Sequence, residues 1–152
     1  MYIRVDDLQG AAIAHLLQVH LDAMHQYSPP ESVHALDLDA LRHPSTTFWT
    51  AWNNDELMGC GALKMLGGTH AELKSMRTAE SHVRKGVARA LLRHIEAAAR
   101  AKGIRQLSLE TGPHAPFAAA QNLYRSEGFV ECGPFASYTL DPYSMFMTKS
   151  LV

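Results

Sequence analysis

A positively charged turn that contains a glycine runs directly into the clearest helical pattern of the chain, VRKGVARALLRHIEAAARAKG, residues 83–103. Apolar residues recur there at intervals of three and four, no proline interrupts them, and cations occupy the other positions. This pattern predicts an amphipathic helix from about Gly86 to Lys102. Gly103 follows at the position where glycine most often ends a helix.

Strand and helix patterns alternate along the rest of the chain. We predict helices over 10–27, 36–42 and 116–128, strands over 1–5, 70–79, 104–110, 129–135 and 144–151, and a hairpin over 47–66. Pro29 and Pro30 cannot continue the first helix. The order β-α-α-β-β-β-α-β-α-β-β indicates a mixed α/β fold with a largely antiparallel sheet. Because no repeat or linker divides the 152 residues, we expect a single domain over 1–152.

The overall charge argues against some partners. Hydrophobic residues make up 47% and charged residues 19% of the chain, which is a globular composition, and the formal net charge is −1. A nucleic-acid-binding domain would normally be strongly basic, so any cationic site must be local, as in residues 83–89. The N-terminus lacks the apolar core of a signal peptide, and no stretch approaches the ~20 apolar residues of a membrane span. We expect a soluble cytoplasmic protein.

The cysteines and histidines do not form a metal-binding pattern. Cys60 and Cys132 lack metal-like spacing, and two free thiols are favoured over one disulfide. No pair among the nine histidines combines helical i, i+4 spacing with a third ligand. We therefore expect no bound metal.

The turn before the long helix has the features of an anion site. The first N–H groups of a helix lack internal partners and lie at the positive end of its dipole. Gly86 and Ala88 give access to that backbone, while Arg84, Lys85 and Arg89 add charge. A solvated basic turn that binds nothing is the alternative. The Walker and dinucleotide glycine motifs are absent, which argues against a nucleoside triphosphatase or a nicotinamide enzyme.

Two segments resemble the GNAT superfamily of N-acetyltransferases: ELKSMRTAESHVRKGVARALL, residues 72–92, and LYRSEGF, residues 123–129. The resemblance extends from about Cys60 to the C-terminus. The pyrophosphate loop of that family reads Gln/Arg-x-x-Gly-x-Gly/Ala, which places Gly86 and Ala88 at its last two fixed positions and Val83 where Gln or Arg is usual. The resemblance implies a sheet flanked by helices, with a central pair of strands that splay apart.

The resemblance also implies acetyl-CoA as the cosubstrate, in a small bacterial acetyltransferase. Its pyrophosphate would bind the loop mainly through backbone N–H groups, and its pantetheine arm would add to an open strand edge, as peptides do. The implied loop residues are Arg84, Lys85, Gly86, Val87, Ala88 and Arg89, and the implied strand residues are Met76, Arg77 and Thr78.

Acetyl transfer to an amine needs a group that accepts the amine proton. Glu72 lies 11 residues before the first loop position, where the histone-modifying members of the family carry a catalytic glutamate. Strand alternation predicts that Glu72, Lys74 and Met76 share one face, and a carboxylate paired with Lys74 is the structural alternative. Further candidates for the base are Glu110, His82, His114 and water.

Tyr124 is the candidate acid for the departing thiolate. LYRSEGF is similar to the Leu-Tyr-x-x-x-Gly-Phe element of the family, in which the tyrosine hydroxyl lies near the CoA sulfur. A phenol and a thiol have ordinary pKa values close enough for proton transfer. A tyrosine packed in the core is the alternative. Many relatives carry an asparagine seven residues earlier, which contacts the pantetheine arm, and this chain has Phe117 at that position.

The acceptor pocket is expected between the first helices and the last strands. The residues offered there are His20, Met24, Tyr27, Ser28, Glu31, His34, Phe135, Tyr138 and Tyr143. Aromatic rings, imidazoles and one carboxylate suit a small amine or amino acid better than a long basic peptide. We therefore expect direct attack of a primary amine on acetyl-CoA in a ternary complex.

A CoA-binding sensor or scaffold without turnover is the rival hypothesis, supported by Val83 and Phe117. Homodimerisation is a further expectation that the sequence leaves open.

Overall fold

The computed structural model describes residues 1–33 and 38–152. Over these residues it has seven strands: β1 Tyr2–Val5, β2 Thr46–Asn53, β3 Glu56–Gly67, β4 His70–Thr78, β5 Gln106–Thr111, β6 Val130–Cys132 and β7 Met145–Ser150. The α-helices are α1 Ala11–Tyr27, α2 Leu38–Leu41, α3 Val87–Ala101 and α4 Ala118–Ser126. Short 3-10 turns cover Pro30–Ser32, Glu80–His82 and Ala115–Phe117.

The predicted element order is confirmed, and the bounds of several elements differ from the predicted ones. β6 ends at Cys132 instead of continuing to residue 135, where Gly133 and Pro134 follow and proline cannot donate to a ladder. The predicted helix 116–128 divides into a 3-10 turn that contains Pro116 and the shorter helix α4. The first two residues of the predicted helix 36–42 lie outside the described residues. The described part of that segment forms α2, which ends at Leu41.

The seven strands form one sheet in the order β1-β2-β3-β4-β5-β7-β6. All neighbours are antiparallel except β4 and β5, which are parallel and pair only from His70–Leu73 to Gln106–Leu109. Beyond Leu73, β4 stays paired with β3 and β5 stays paired with β7, so the two strands separate. The predicted splayed central pair is therefore confirmed, and it opens a gap in the middle of the sheet.

A β-bulge in β4 changes which side chains face which layer. Ala62 pairs with Lys74 but Cys60 pairs with Arg77, so β4 contains one extra residue near Ser75, whose φ is +56°. Alternation is shifted beyond this point. Glu72 and Lys74 do share a face, but Met76 packs on the opposite face. The prediction of one face for all three residues is wrong for Met76.

Apolar side chains cover both faces of the sheet. One cluster packs α3 and α4 against the first face, with Leu91, Leu92 and Ile95 fully buried opposite Leu73 and Leu109. A second cluster packs α1 and α2 against the other face. Close packing under α3 requires small residues in β3, because a Cβ on Gly61 would meet Ile95 at 2.8 Å and would overlap Met76. No helix among the described residues is both long enough and apolar enough to cross a membrane.

Candidate active site

The gap between β4 and β5 leads into a cavity of about 210 Å³. α1, β4, β5, α4 and the segment before β7 form its walls. Its lining residues are His20, Ala23, Met24, Tyr27, Ser28, Ser32, Val33, Glu72, Leu73, Lys74, Ser75, Met76, Arg77, Leu109, Glu110, Thr111, Gly112, Pro116, Phe117, Ala120, Tyr124 and Tyr143. The splay of two parallel strands therefore places polar groups of distant segments in one enclosed space.

The turn before α3 opens its backbone toward solvent. Gly86 is the N-cap of the helix, with φ +81°, and a Cβ built on it would meet no atom within 4 Å. Arg84 also has a positive φ, +63°, which is costly for a residue other than glycine. The first intrahelical bond of α3 runs from the Ala90 N–H to the Gly86 carbonyl, so the N–H groups before Ala90 are left for other partners.

The side chains of this turn contribute unequally. Arg84 and Lys85 are exposed, whereas Val87 is buried in the core under α3 and offers only its backbone. The Arg89 guanidinium forms an ion pair with Glu127 at the end of α4.

Lys85 contacts the His82 ring at 3.3 Å but pairs with no carboxylate in the described chain. The positive charge that the turn offers a ligand therefore comes from Arg84 and Lys85 more than from Arg89.

Glu72 lies in a buried hydrogen-bonded triad. Its Oε2 accepts a hydrogen bond of 2.6 Å from the Tyr138 hydroxyl and an ion-pair contact of 3.2 Å from Lys74 Nζ, which also donates to Tyr138 at 2.9 Å. The Glu72 side chain is only 4% exposed. The pairing of Glu72 with Lys74 considered from the sequence is present, but it is buried instead of lying at the surface.

Glu110 faces the cavity from β5 and forms no ion pair within the described residues. Burial raises the pKa of Glu110 to about 7, and the nearby Glu72 and Asp141 carboxylates add to this effect. Ser144 and Lys74 oppose it, although the buried Ser144 hydroxyl makes no hydrogen bond of ordinary geometry within the described chain. A carboxyl with this pKa exchanges protons readily near neutral pH.

Tyr124 projects from α4 into the same cavity. It is 6% exposed, its ring packs edge to face on Phe129, and burial raises the pKa of its hydroxyl. In the part of the chain that the structure describes, the hydroxyl makes no hydrogen bond. The Tyr124 ring therefore packs in the core, as the structural alternative holds, but its hydroxyl does not bond to a backbone carbonyl of the described chain.

The other residues predicted for the acceptor pocket do not all line the cavity. His20, Met24, Tyr27, Ser28 and Tyr143 line the cavity, whereas Glu31, Phe135 and Tyr138 do not, and His34 lies outside the described residues. Among the candidate bases, His82 is held by Glu56 at 2.6 Å and His114 packs on the Tyr143 ring, and neither lines the cavity.

The Phe117 ring occupies the space that a side chain at position 112 would need, and Gly112 leaves it free. The ring lies so close to Gly112 that a Cβ there would overlap it, and it packs edge to face with the ring of Tyr27, which also lines the cavity.

Lys74 is expected from the sequence only as a partner of Glu72 and Arg77 only as part of the pantetheine strand, but both line the cavity. That the Arg77 side chain enters the cavity depends on the β-bulge, which cannot be read from the sequence.

The thiols take no part in the cavity. Both cysteines are free, and burial raises the pKa of the Cys60 thiol to about 12. A thiol that stays protonated is a poor nucleophile. Over residues 1–33 and 38–152, no group of three His, Cys, Asp or Glu side chains is arranged to hold a metal ion.

Comparisons of the sequence identify its relatives. The family described as "Acetyltransferase (GNAT) family" matches residues 13–129. The chain is 55% identical over 151 residues to an uncharacterized N-acetyltransferase, YsnE, of Bacillus subtilis (strain 168), which covers 99% of this chain and 100% of YsnE. It is 50% identical over 149 residues to another, YedL, of Escherichia coli (strain K12), which covers 98% of this chain and 94% of YedL.

Solved structures share the fold over the whole chain. A candidate acyl-CoA N-acyltransferase from Klebsiella pneumoniae subsp. pneumoniae MGH 78578 superposes with a TM-score of 0.80 at 28% identity, over 99% of this chain and 97% of that one. An aminoglycoside 6'-N-acetyltransferase complexed with coenzyme A superposes with a TM-score of 0.73 at 17% identity, over 100% and 98%.

Proposed function

Since the chain belongs to the acetyltransferase (GNAT) family, we propose that it transfers an acetyl group from acetyl-CoA to the primary amine of a small molecule or amino acid. The amine attacks the thioester directly, in a ternary complex. The observation that carries this proposal is the cavity between β4 and β5, which contains a titratable carboxyl and an unused tyrosine hydroxyl. A cofactor and an acceptor can meet there away from bulk water.

The backbone offers acetyl-CoA two kinds of contact. The N–H groups at the start of α3, with the exposed cations Arg84 and Lys85, suit the pyrophosphate. The edge of β4 from Met76 to Thr78 has no β5 partner, so its amide groups suit the two amides of the pantetheine arm. Coenzyme A is also the ligand of the aminoglycoside acetyltransferase that shares this fold.

In our proposal Glu110 accepts the proton of the acceptor ammonium, directly or through a water molecule. A pKa near 7 leaves about half of the carboxyl ionised at neutral pH, which suits a general base. Glu72 is the less suitable base because its carboxylate already binds Lys74 and Tyr138. We assign Glu72 to positioning Lys74 and to holding the segment that contains Tyr138 against β4.

Tyr124 donates its proton to the departing thiolate. The amine nitrogen forms a bond to the acetyl carbon, the carbon–sulfur bond breaks, and the thiolate takes the phenolic proton to leave as free CoA thiol. The nitrogen then gives its remaining extra proton to the tyrosinate, directly or through a water molecule, which yields the neutral amide and restores the phenol.

Burial keeps the Tyr124 hydroxyl protonated but also makes it a weaker acid than an ordinary phenol. The same burial raises the pKa of a thiol beside it, so the thiolate is also a stronger base there. The lack of a hydrogen-bond partner in the described chain leaves the Tyr124 hydroxyl available for this role.

Replacing Gly86 with valine tests the phosphate loop. In the wild type, acetyl-CoA at 100 times its dissociation constant should add about 2.7 kcal/mol, which raises Tm by roughly 5–10 °C for a domain of this size. Gly86→Val strains a residue with φ +81° and places methyl groups where the pyrophosphate would lie. We expect most of the Tm increase to disappear.

Gly103→Val is the matched control, because Gly103 has φ +80° and equally open surroundings at the other end of α3. Both variants should lower Tm without ligand, but Gly103→Val should keep the full response to acetyl-CoA. An equal response in both variants would place the pyrophosphate elsewhere.

The transferase and sensor hypotheses differ in one measurement. A transferase releases free CoA thiol from acetyl-CoA when a suitable amine is present, whereas a sensor binds acetyl-CoA and returns it unchanged. Binding by thermal shift without thiol release across a broad panel of primary amines would support the sensor.

A further inference from the structure

Arg77 is a cation of the cavity that the chemistry above does not use. The β-bulge turns its side chain to the α1 face, where it lines the cavity beside His20. Unlike Lys74, it makes no ion pair with the part of the chain that the structure describes. A half-buried guanidinium without a carboxylate is costly unless a ligand supplies the negative charge.

His20 adds a polar group beside Arg77. Burial, and then the charge of Arg77, lower the pKa of His20 to about 4, so its imidazole is neutral at physiological pH. Its Nδ1 is buried and has no hydrogen-bond partner among residues 1–33 and 38–152. A neutral imidazole next to a guanidinium donates one N–H to an anion without adding a second positive charge.

The charges in the cavity are divided between its two walls. The Lys74 and Glu72 charges on β4 compensate each other, which leaves Arg77 as the uncompensated cation of that wall within the described chain. Glu110 supplies the acidic group on β5. The volume of about 210 Å³ is below that of pockets for drug-sized ligands. Such a cavity suits a small molecule with one positive and one negative end.

We propose that Arg77 and His20 form a subsite for a carboxylate of the acceptor, so that the substrate is a small amine that carries a carboxylate in the same molecule. The Arg77 guanidinium binds the carboxylate, the His20 imidazole donates a further hydrogen bond, and the amine lies toward Glu110. This inference rests on the proposed acetyltransferase function and names its substrate class.

The experiment measures CoA thiol release from acetyl-CoA with pairs of acceptors that differ only in the carboxylate. The probes are the common α-amino acids, β-alanine and 4-aminobutyrate, each paired with its carboxamide. We expect the acids to be preferred by about 10- to 100-fold in kcat/KM, which is the size of a charge-assisted contact. Arg77→Gln should remove that preference, mainly by raising KM for the acids, while Arg77→Lys should restore part of it.

Arg105→Gln is the control, because Arg105 is exposed just before β5 and does not line the cavity. It removes the same charge and should leave the preference unchanged. Succinyl-CoA is tested as an alternative donor, because Arg77 would equally suit a carboxylate on the acyl group.

The outcomes separate the two proposals. Carboxamides that are turned over as well as the acids, or an equal loss for both in Arg77→Gln, would overturn the subsite and leave the acetyltransferase standing. A preference for succinyl-CoA that depends on Arg77 would overturn the assignment of the carboxylate to the acceptor. Absence of thiol release with every probe would overturn both proposals.

Discussion

Tyr124→Phe is expected to lower kcat by about 10²- to 10⁴-fold, the usual contribution of a positioned general acid, while the Kd for acetyl-CoA stays almost unchanged. The phenylalanine ring keeps the contact with Phe129 and fills the same space. The variant loses only a hydroxyl that bonds to nothing within the described chain, so stability should change little. Single-turnover kinetics and the Tm increase with acetyl-CoA measure the two effects separately.

Tyr2→Phe is the matched control for this substitution. The Tyr2 hydroxyl contacts the Asn54 carbonyl at 3.2 Å on the sheet edge, away from the cavity. It should retain wild-type kcat. If Tyr124→Phe also retains the wild-type kcat, the thiolate takes its proton from water or another group, and Tyr124 has only a packing role.

The architecture could be predicted because most of its signals are local. The i, i+3, i+4 pattern and the glycines at both ends identified α3 to within one residue at each end. The glycine of the turn and the LYRSEGF element identified the family, and the family implied the splayed strands. The shortening of β6 and the division of the predicted helix 116–128 also have local causes, which are Pro134 and Pro116. The hydrophobic pattern alone does not take account of these prolines.

The cavity chemistry was less predictable because it depends on long-range packing. The residue at the bulge is Ser75, so no glycine in the sequence marks the bulge. Yet the bulge turns the Arg77 side chain toward α1 and the Met76 side chain toward α3. Tyr138 reaches Glu72 across 66 positions of sequence.

Glu110 is preferred to Glu72 as the base because burial raises the pKa of Glu110 and because Glu72 is already ion-paired with Lys74. Neither property can be predicted from the spacing of residues in the sequence.

Glu110→Gln is expected to lower kcat/KM by about 10²-fold or more at pH 7 and to change the pH profile. In the wild type, kcat/KM should rise with pH through an inflection near 7 as Glu110 ionises. The amide has no such ionisation, so this inflection should disappear in the variant. The defect should shrink at a pH where the acceptor amine is already neutral, because no base is then needed.

Glu110→Gln should also alter the pH dependence of stability in a defined direction. Between the ordinary pKa of 4.5 and the folded value of about 7, the folded state retains a proton that the unfolded state releases. The free energy of unfolding therefore falls as pH rises through this window. The amide has no proton to lose, so the variant does not show this fall in stability. The Tm of the variant minus that of the wild type should therefore increase from pH 5 to pH 8.

Glu72→Gln separates the two carboxyl groups. It removes the Glu72 carboxylate from its contact with the buried Lys74 ammonium, so Tm should fall. It also removes a negative charge near Glu110, which lowers the pKa of Glu110. The inflection should therefore remain and move to lower pH. If instead it vanishes in Glu72→Gln and persists in Glu110→Gln, Glu72 is the base, and the triad with Lys74 and Tyr138 is the device that holds it in place.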